Sequence, residues 1–153
     1  MSNTTQDRAP AQVDVRGPRF VAWVSTAVLT VAVLASVEAP AAAAAILAAQ
    51  AAVFAIGATL GPRQHPYGLI FAKFIAPRLG PVTEREPVAP LKFAQLVGFI
   101  FAVVGAIGFA GGLAPLGLAA TGLALVAAFL NAAFGICLGC QIYPLVARLT
   151  PTR

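Results

Sequence analysis

The chain has 153 residues, enough for one domain, of which 59% are hydrophobic and 10% charged. A soluble domain carries about a quarter charged residues, so this composition argues against a soluble globule, and its apolar content excludes intrinsic disorder. Two cysteines are too few for a disulfide framework, and the net charge of +5 points to a nucleic-acid partner only if the basic residues share one folded face.

In chain order, residues 1–19 form a polar tail carrying Arg8, Arg16 and Arg19. Phe20 to Val37 is a run of 18 uncharged residues, and Ala39 to Pro62 adds 24 more after Glu38. A helix needs about 20 mostly apolar residues to cross the hydrocarbon layer, so residues 20–62 are expected to form a transmembrane hairpin folded at Glu38-Ala39-Pro40. Trp23 falls near the inner interface. Gln50 falls at about mid-depth, where a buried amide bonds to a neighbouring helix. A signal peptide within residues 1–45 is the competing reading of this segment, because a charged start and an apolar run lead into Ala41 to Ala45.

Residues 63–92 interleave Tyr67, Leu69, Ile70, Phe71, Phe74, Ile75 and Leu79 with Lys73 and Arg78. That pattern predicts a short amphipathic helix in the headgroup plane, either an interfacial connector or a docking surface for a soluble partner. Phe93 to Ala147 is 55 residues without a charge or a histidine. Residues 93–147 are therefore expected to form a second transmembrane hairpin, turning near Gly111-Gly112-Leu113-Ala114-Pro115. Small residues such as Gly105, Gly108 and Gly117 would let the helices approach closely, and Gly135 with Gly139 makes a packing pair. Residues 148–153 are a short tail.

The expected fold class is thus all-α: a polytopic membrane protein with four transmembrane helices as two hairpins. An even number of spans puts all ten basic residues on one side, which the positive-inside rule makes cytoplasmic, with both termini. The expected location is the inner (plasma) membrane, multi-pass. The charge then reports orientation rather than binding of nucleic acid.

Proton relays and ion pumps mark themselves with ionisable residues inside spans, and none is present. The single histidine, His65, argues against a bis-histidine haem and most zinc sites; no cofactor and no resident metal are expected. What remains is Cys137-Leu138-Gly139-Cys140. Placed on a last span starting near Pro115, Cys137 lies about 33 Å along the helix and Cys140 about 37 Å, at the cytoplasmic edge of the bilayer. Two thiols one turn apart can form a disulfide or share one soft metal ion, while simple packing of two small hydrophobes is the plain alternative. A cytosolic setting favours the reduced dithiol. A helix C-terminus there would oppose a thiolate, so Arg16, Arg19, Lys92 or Arg148 would have to supply the positive potential. Glu84, Glu86, Gln95 and Asn131 lie toward the same face, and Tyr143 takes an interfacial position.

Arg16-Gly17-Pro18-Arg19-Phe20, Gly80-Pro81 followed by Glu84, Phe93-Ala94-Gln95, and Asn131-Ala132 followed by Cys137-Leu138-Gly139-Cys140 and Tyr143 resemble an uncharacterised bacterial domain-of-unknown-function family of small four-helix membrane proteins, over roughly residues 13–147. Relatives often carry an acidic residue after the second cysteine, where Gln141 stands here. The resemblance implies an association with thioredoxin-like or rhodanese-like proteins, and so thiol or sulfur chemistry.

The expected function is a thiol–disulfide or sulfur-transfer role, with Cys137 and Cys140 as the reacting groups and Arg16, Arg19, Glu84, Lys92, Gln95, Asn131 and Tyr143 in support. The alternative is a non-enzymatic membrane anchor or accessory subunit. Whether the chain is an enzyme is left open, as is an oligomeric state.

Overall fold

A computed structural model describes residues 9–150; Arg8, Arg153 and the first eight residues of the expected N-terminal tail lie outside the described residues. Among the described residues, four helices are long and apolar enough to cross a membrane: α1 (Arg16–Glu38), α2 (Pro40–Leu60), α4 (Val88–Ala110) and α5 (Ala114–Phe134). At 1.5 Å per residue they are about 31–35 Å long, matching a hydrocarbon core of about 30 Å. The chain is therefore a multi-pass membrane protein. Two shorter helices, α3 (Pro66–Ile70) and α6 (Leu138–Leu149), lie outside these spans.

Each hairpin turns where the backbone chemistry dictates. Pro40 and Pro115 sit in the first turns of α2 and α5, where a missing N–H costs nothing and the fixed φ suits a helix. The four spans pack as a ring in the order α1, α2, α4, α5, with α2 against α4 as the most extensive contact. Close approach of α4 and α5 depends on Gly108, since a Cβ there would lie 2.6 Å from the Gly117 nitrogen. The fully buried core gathers Leu29, Ala32, Ala43, Leu47 and Phe109 near the two hairpin turns. Toward the other end the core thins, and that is where the polar side chains collect.

Gln50, 1% exposed, donates to the Ser25 hydroxyl of α1 at 3.4 Å, so the mid-span amide does bridge two helices. Tyr67 donates its hydroxyl to Gln50 Oε1 at 2.7 Å.

The connector between α2 and α4 differs from a single amphipathic helix. After α3 the winding loosens into a π-type turn over Phe71–Ile75 and tightens into a 3-10 turn over Ala76–Arg78. Leu69, Ile70 and Phe74 stay exposed while Phe71 is buried. Residues expected to belong to an irregular tail instead form a strand. β1 (Gln12–Asp14) pairs antiparallel with β2 (Arg85–Pro87), placing Val13 opposite Glu86. This two-stranded ribbon ties the approach to α1 onto the approach to α4, and Arg63 adds a hydrogen bond to the Gln12 carbonyl at 3.2 Å.

Candidate functional site

The largest departure from expectation lies at the end of α5. The fourth span stops at Phe134 instead of running on to residue 147. Gly135 adopts φ +69°, the left-handed conformation that ends helices. Its N–H bonds to the Asn131 carbonyl and the Ile136 N–H bonds to the Leu130 carbonyl, the paired closure that satisfies the last carbonyls of a helix. Arg19 of α1 approaches the remaining carbonyls, those of Ala132 and Ala133, at 3.4 and 3.5 Å. Gly135 is thus a stop signal, not half of a packing pair.

Cys137 is consequently not on α5. Its backbone is extended, and it is the N-cap of α6, with Cys140 N–H donating to Cys137 Sγ at 3.3 Å. The two sulfurs are joined as a disulfide, with Cα atoms 5.2 Å apart. This reverses the electrostatic expectation. At a helix N-terminus, unpaired N–H groups and the positive end of the dipole stabilise negative charge, so after reduction the site favours a thiolate on Cys137. No basic side chain is needed for that effect.

Gly139 holds α6 on α4, because any Cβ there would fall 2.7 Å from Ala94 Cα. One turn further, Tyr143 packs its ring 5.9 Å from that of Phe93. Two consecutive residues of α4 therefore seat the helix that carries the cysteines.

Inside the ring, on the Cys137 side, lies a cavity of about 250 Å³. Its walls are mostly apolar, with Phe54 and Phe101 among them, and its polar lining consists of Ser25, Gln95, Asn131 and Cys137. Among the described residues, no charged side chain lines it.

Gln95 is set by His65, a residue to which sequence reasoning gives no place in the site. His65 is 1% exposed and caps α3, its Nδ1 accepting the Tyr67 N–H at 3.2 Å. The proton must then sit on Nε2, which lies 3.2 Å from Gln95 Oε1 and donates to it. Burial holds the imidazole well below its ordinary value, at about 4, although the bond to Gln95 works the other way. His65 is therefore neutral at physiological pH. The only sequence signal was the His-Pro pair at the start of a helix.

The remaining expected residues divide. Asn131 joins Gln95 and Cys137 at the cavity, and Tyr143 anchors α6. Arg16 is turned away: it forks onto Asp14 with contacts of 2.7 to 3.0 Å and donates to the Gly80 carbonyl. That guanidinium holds the Asp14 carboxyl below its usual range. Glu84 is exposed, and its backbone carbonyl accepts the Val15 N–H. Glu86 is half-buried, and desolvation, then the Glu84 charge, raises its carboxyl. Lys92 runs beside Gly61 at the end of α2. None of Arg16, Glu84 and Lys92 lines the cavity. Among the described residues, no group of three or more His, Cys, Asp and Glu is gathered closely enough to hold a metal.

The family model described as Domain of unknown function (DUF4395) matches residues 13–148, nearly the whole chain, so the chain belongs to that family. No curated protein and no solved structure matches it.

Proposed function

We propose that this DUF4395 member is a membrane-embedded thiol–disulfide exchange protein whose Cys137–Cys140 pair works with a soluble thioredoxin-like partner at the basic, cytoplasmic end of the bundle. The observation that carries this reading is Cys137 at the N-cap of α6, accepting the Cys140 N–H. A partner thiolate attacks Cys137 Sγ and expels the Cys140 thiolate, giving a mixed disulfide. The partner's second thiolate then attacks its own bridging sulfur and releases Cys137, which leaves as the stabilised thiolate. The partner ends oxidised and the pair ends as a dithiol, so electrons balance. A rhodanese-like partner fits the same geometry: Cys137 takes up a sulfane sulfur as a persulfide, and Cys140 displaces it as hydrosulfide while the disulfide forms.

The test is exchange between oxidised protein in vesicles and reduced thioredoxin. Cys137→Ser and Cys140→Ser are each expected to abolish it, and a thioredoxin lacking its resolving cysteine should be trapped on Cys137. Unchanged thioredoxin oxidation by the double variant would sink the proposal. The anchor reading would then take its place, resting on the exposed Leu69, Ile70 and Phe74 beside Lys73.

A further inference from the structure

The cavity beside the cysteines has a polar inventory that selects its occupant. Gln95 Oε1 is engaged by the His65 Nε2–H, which fixes the amide so that its NH₂ group is the free half. Among the described residues, neither that NH₂ nor the Asn131 side-chain amide has a protein partner, and both residues line the cavity. Two hydrogen-bond donors, with no charged side chain among the described residues that line the cavity, suit a neutral molecule bearing carbonyl oxygens. An anion or a nucleotide would enter at the full cost of an uncompensated buried charge. The walls are otherwise apolar, with Phe54 and Phe101 offering ring contacts. A volume of about 250 Å³ is below the ~300–1,000 Å³ of pockets for drug-sized ligands, so it takes one substituted ring and not a long tail. The fourth polar group is Cys137 itself, one half of a couple that gives up two electrons and two protons.

We infer that this cavity binds the ring of a membrane quinone and that the quinone reoxidises the Cys137–Cys140 dithiol. The inference rests on the exchange reading above and completes it, since a pair reduced by a soluble partner needs an electron acceptor. In the step, the Cys140 S–H bond breaks and one S–S bond forms, while the proton that Cys137 gave up on becoming a thiolate is made up from solvent. The two electrons and two protons pass to the quinone, whose two C=O groups become C–OH. The Gln95 and Asn131 amides donate to the carbonyl oxygens, stabilising the negative charge that develops there during reduction.

The experiment uses full-length protein in vesicles, reduced and freed of excess reductant, with decylubiquinone as the probe. Its ring is fully substituted, so it cannot simply arylate a thiol. Quinol formation is followed by absorbance and disulfide formation by alkylation. Wild type should give one quinol per disulfide. Ala127→Leu, which fills the cavity from α5, should abolish the reaction, and Gln95→Leu and Asn131→Ala should each slow it about tenfold, the scale of one lost hydrogen bond. Ala127→Leu should retain wild-type helicity and wild-type exchange with thioredoxin. Equal quinol rates in wild type and in all three variants, with exchange intact, would overturn the quinone site alone. Loss of thioredoxin exchange in wild type would overturn the exchange reading beneath it.

Discussion

Lowering the pH should weaken the fold through His65 before it weakens it through any carboxylate that is paired in the folded state. The imidazole is neutral and buried, with Nδ1 accepting from the Tyr67 N–H and Nε2 donating to Gln95. A second proton would have to go on Nδ1, where it faces another donor. The depressed folded value of about 4 against the ordinary 6.5 means that the unfolded chain takes up a proton first. Stability is then fully present above about pH 6.5, declines as pH falls, and levels off below about 4. The difference amounts to roughly 3 kcal/mol, most of it lost by pH 4.5. For a chain of this size that is a fall in melting temperature on the order of 10 °C. Circular dichroism melts in detergent at pH 7.5, 6 and 4.5 measure it. Glu86, whose carboxyl is raised by desolvation, acts in the opposite sense as pH falls, so His65→Gln is the control that isolates the imidazole. Its melting temperature should depend on pH much less than that of wild type. Parallel pH profiles for wild type and His65→Gln would mean that the imidazole does not carry the pH dependence.

Gly139→Val should lift α6 from Ala94 at a cost of about 1–3 kcal/mol, and slow thioredoxin exchange more than it lowers helicity; an unchanged exchange rate would count against α4 as the seat of the cysteines. Gly135→Ala forces a side chain into the left-handed region and should destabilise by about 1 kcal/mol, read from the melting temperature. In the reduced protein Cys137 should be alkylated faster than Cys140 at neutral pH, resolved by peptide mapping, because only Cys137 accepts the helix N-terminal N–H. Arg19→Ala removes the donor facing the last carbonyls of α5 and should lower the melting temperature slightly, by the ~0.3–1 kcal/mol typical of a cation at a helix C-terminus.

The four spans were legible because a bilayer demands long uncharged runs, and the runs of 18, 24 and 55 residues supply them. Gln50 was legible for the same reason, since a mid-span amide must find a partner. The end of α5 was not. Hydropathy continues unbroken through Ile136, Leu138 and Ile142, so it cannot register that Gly135 takes a positive φ. Cysteine is also not among the favoured N-cap residues, so nothing in the sequence marked Cys137 as the start of α6. That one boundary reversed the sign of the dipole at the cysteines. The ribbon escaped because Gln12-Val13-Asp14 and Arg85-Glu86-Pro87 are too short for alternation to show. Arg16 looked available as a positive charge and is taken by Asp14, two residues before it. The cavity follows from small side chains at facing positions of four helices, which a single sequence does not align. His65 belongs to the site only through Gln95, thirty residues away in sequence.

The most direct test of the central claim is the redox state of Cys137 and Cys140 in oriented vesicles, read by a membrane-impermeant maleimide before and after reduced thioredoxin is added to the cytoplasmic face. Two protected sulfurs should become labelled, both from that face, once thioredoxin is present. A pair that labels only after detergent unfolding, whatever thioredoxin does, would contradict that claim.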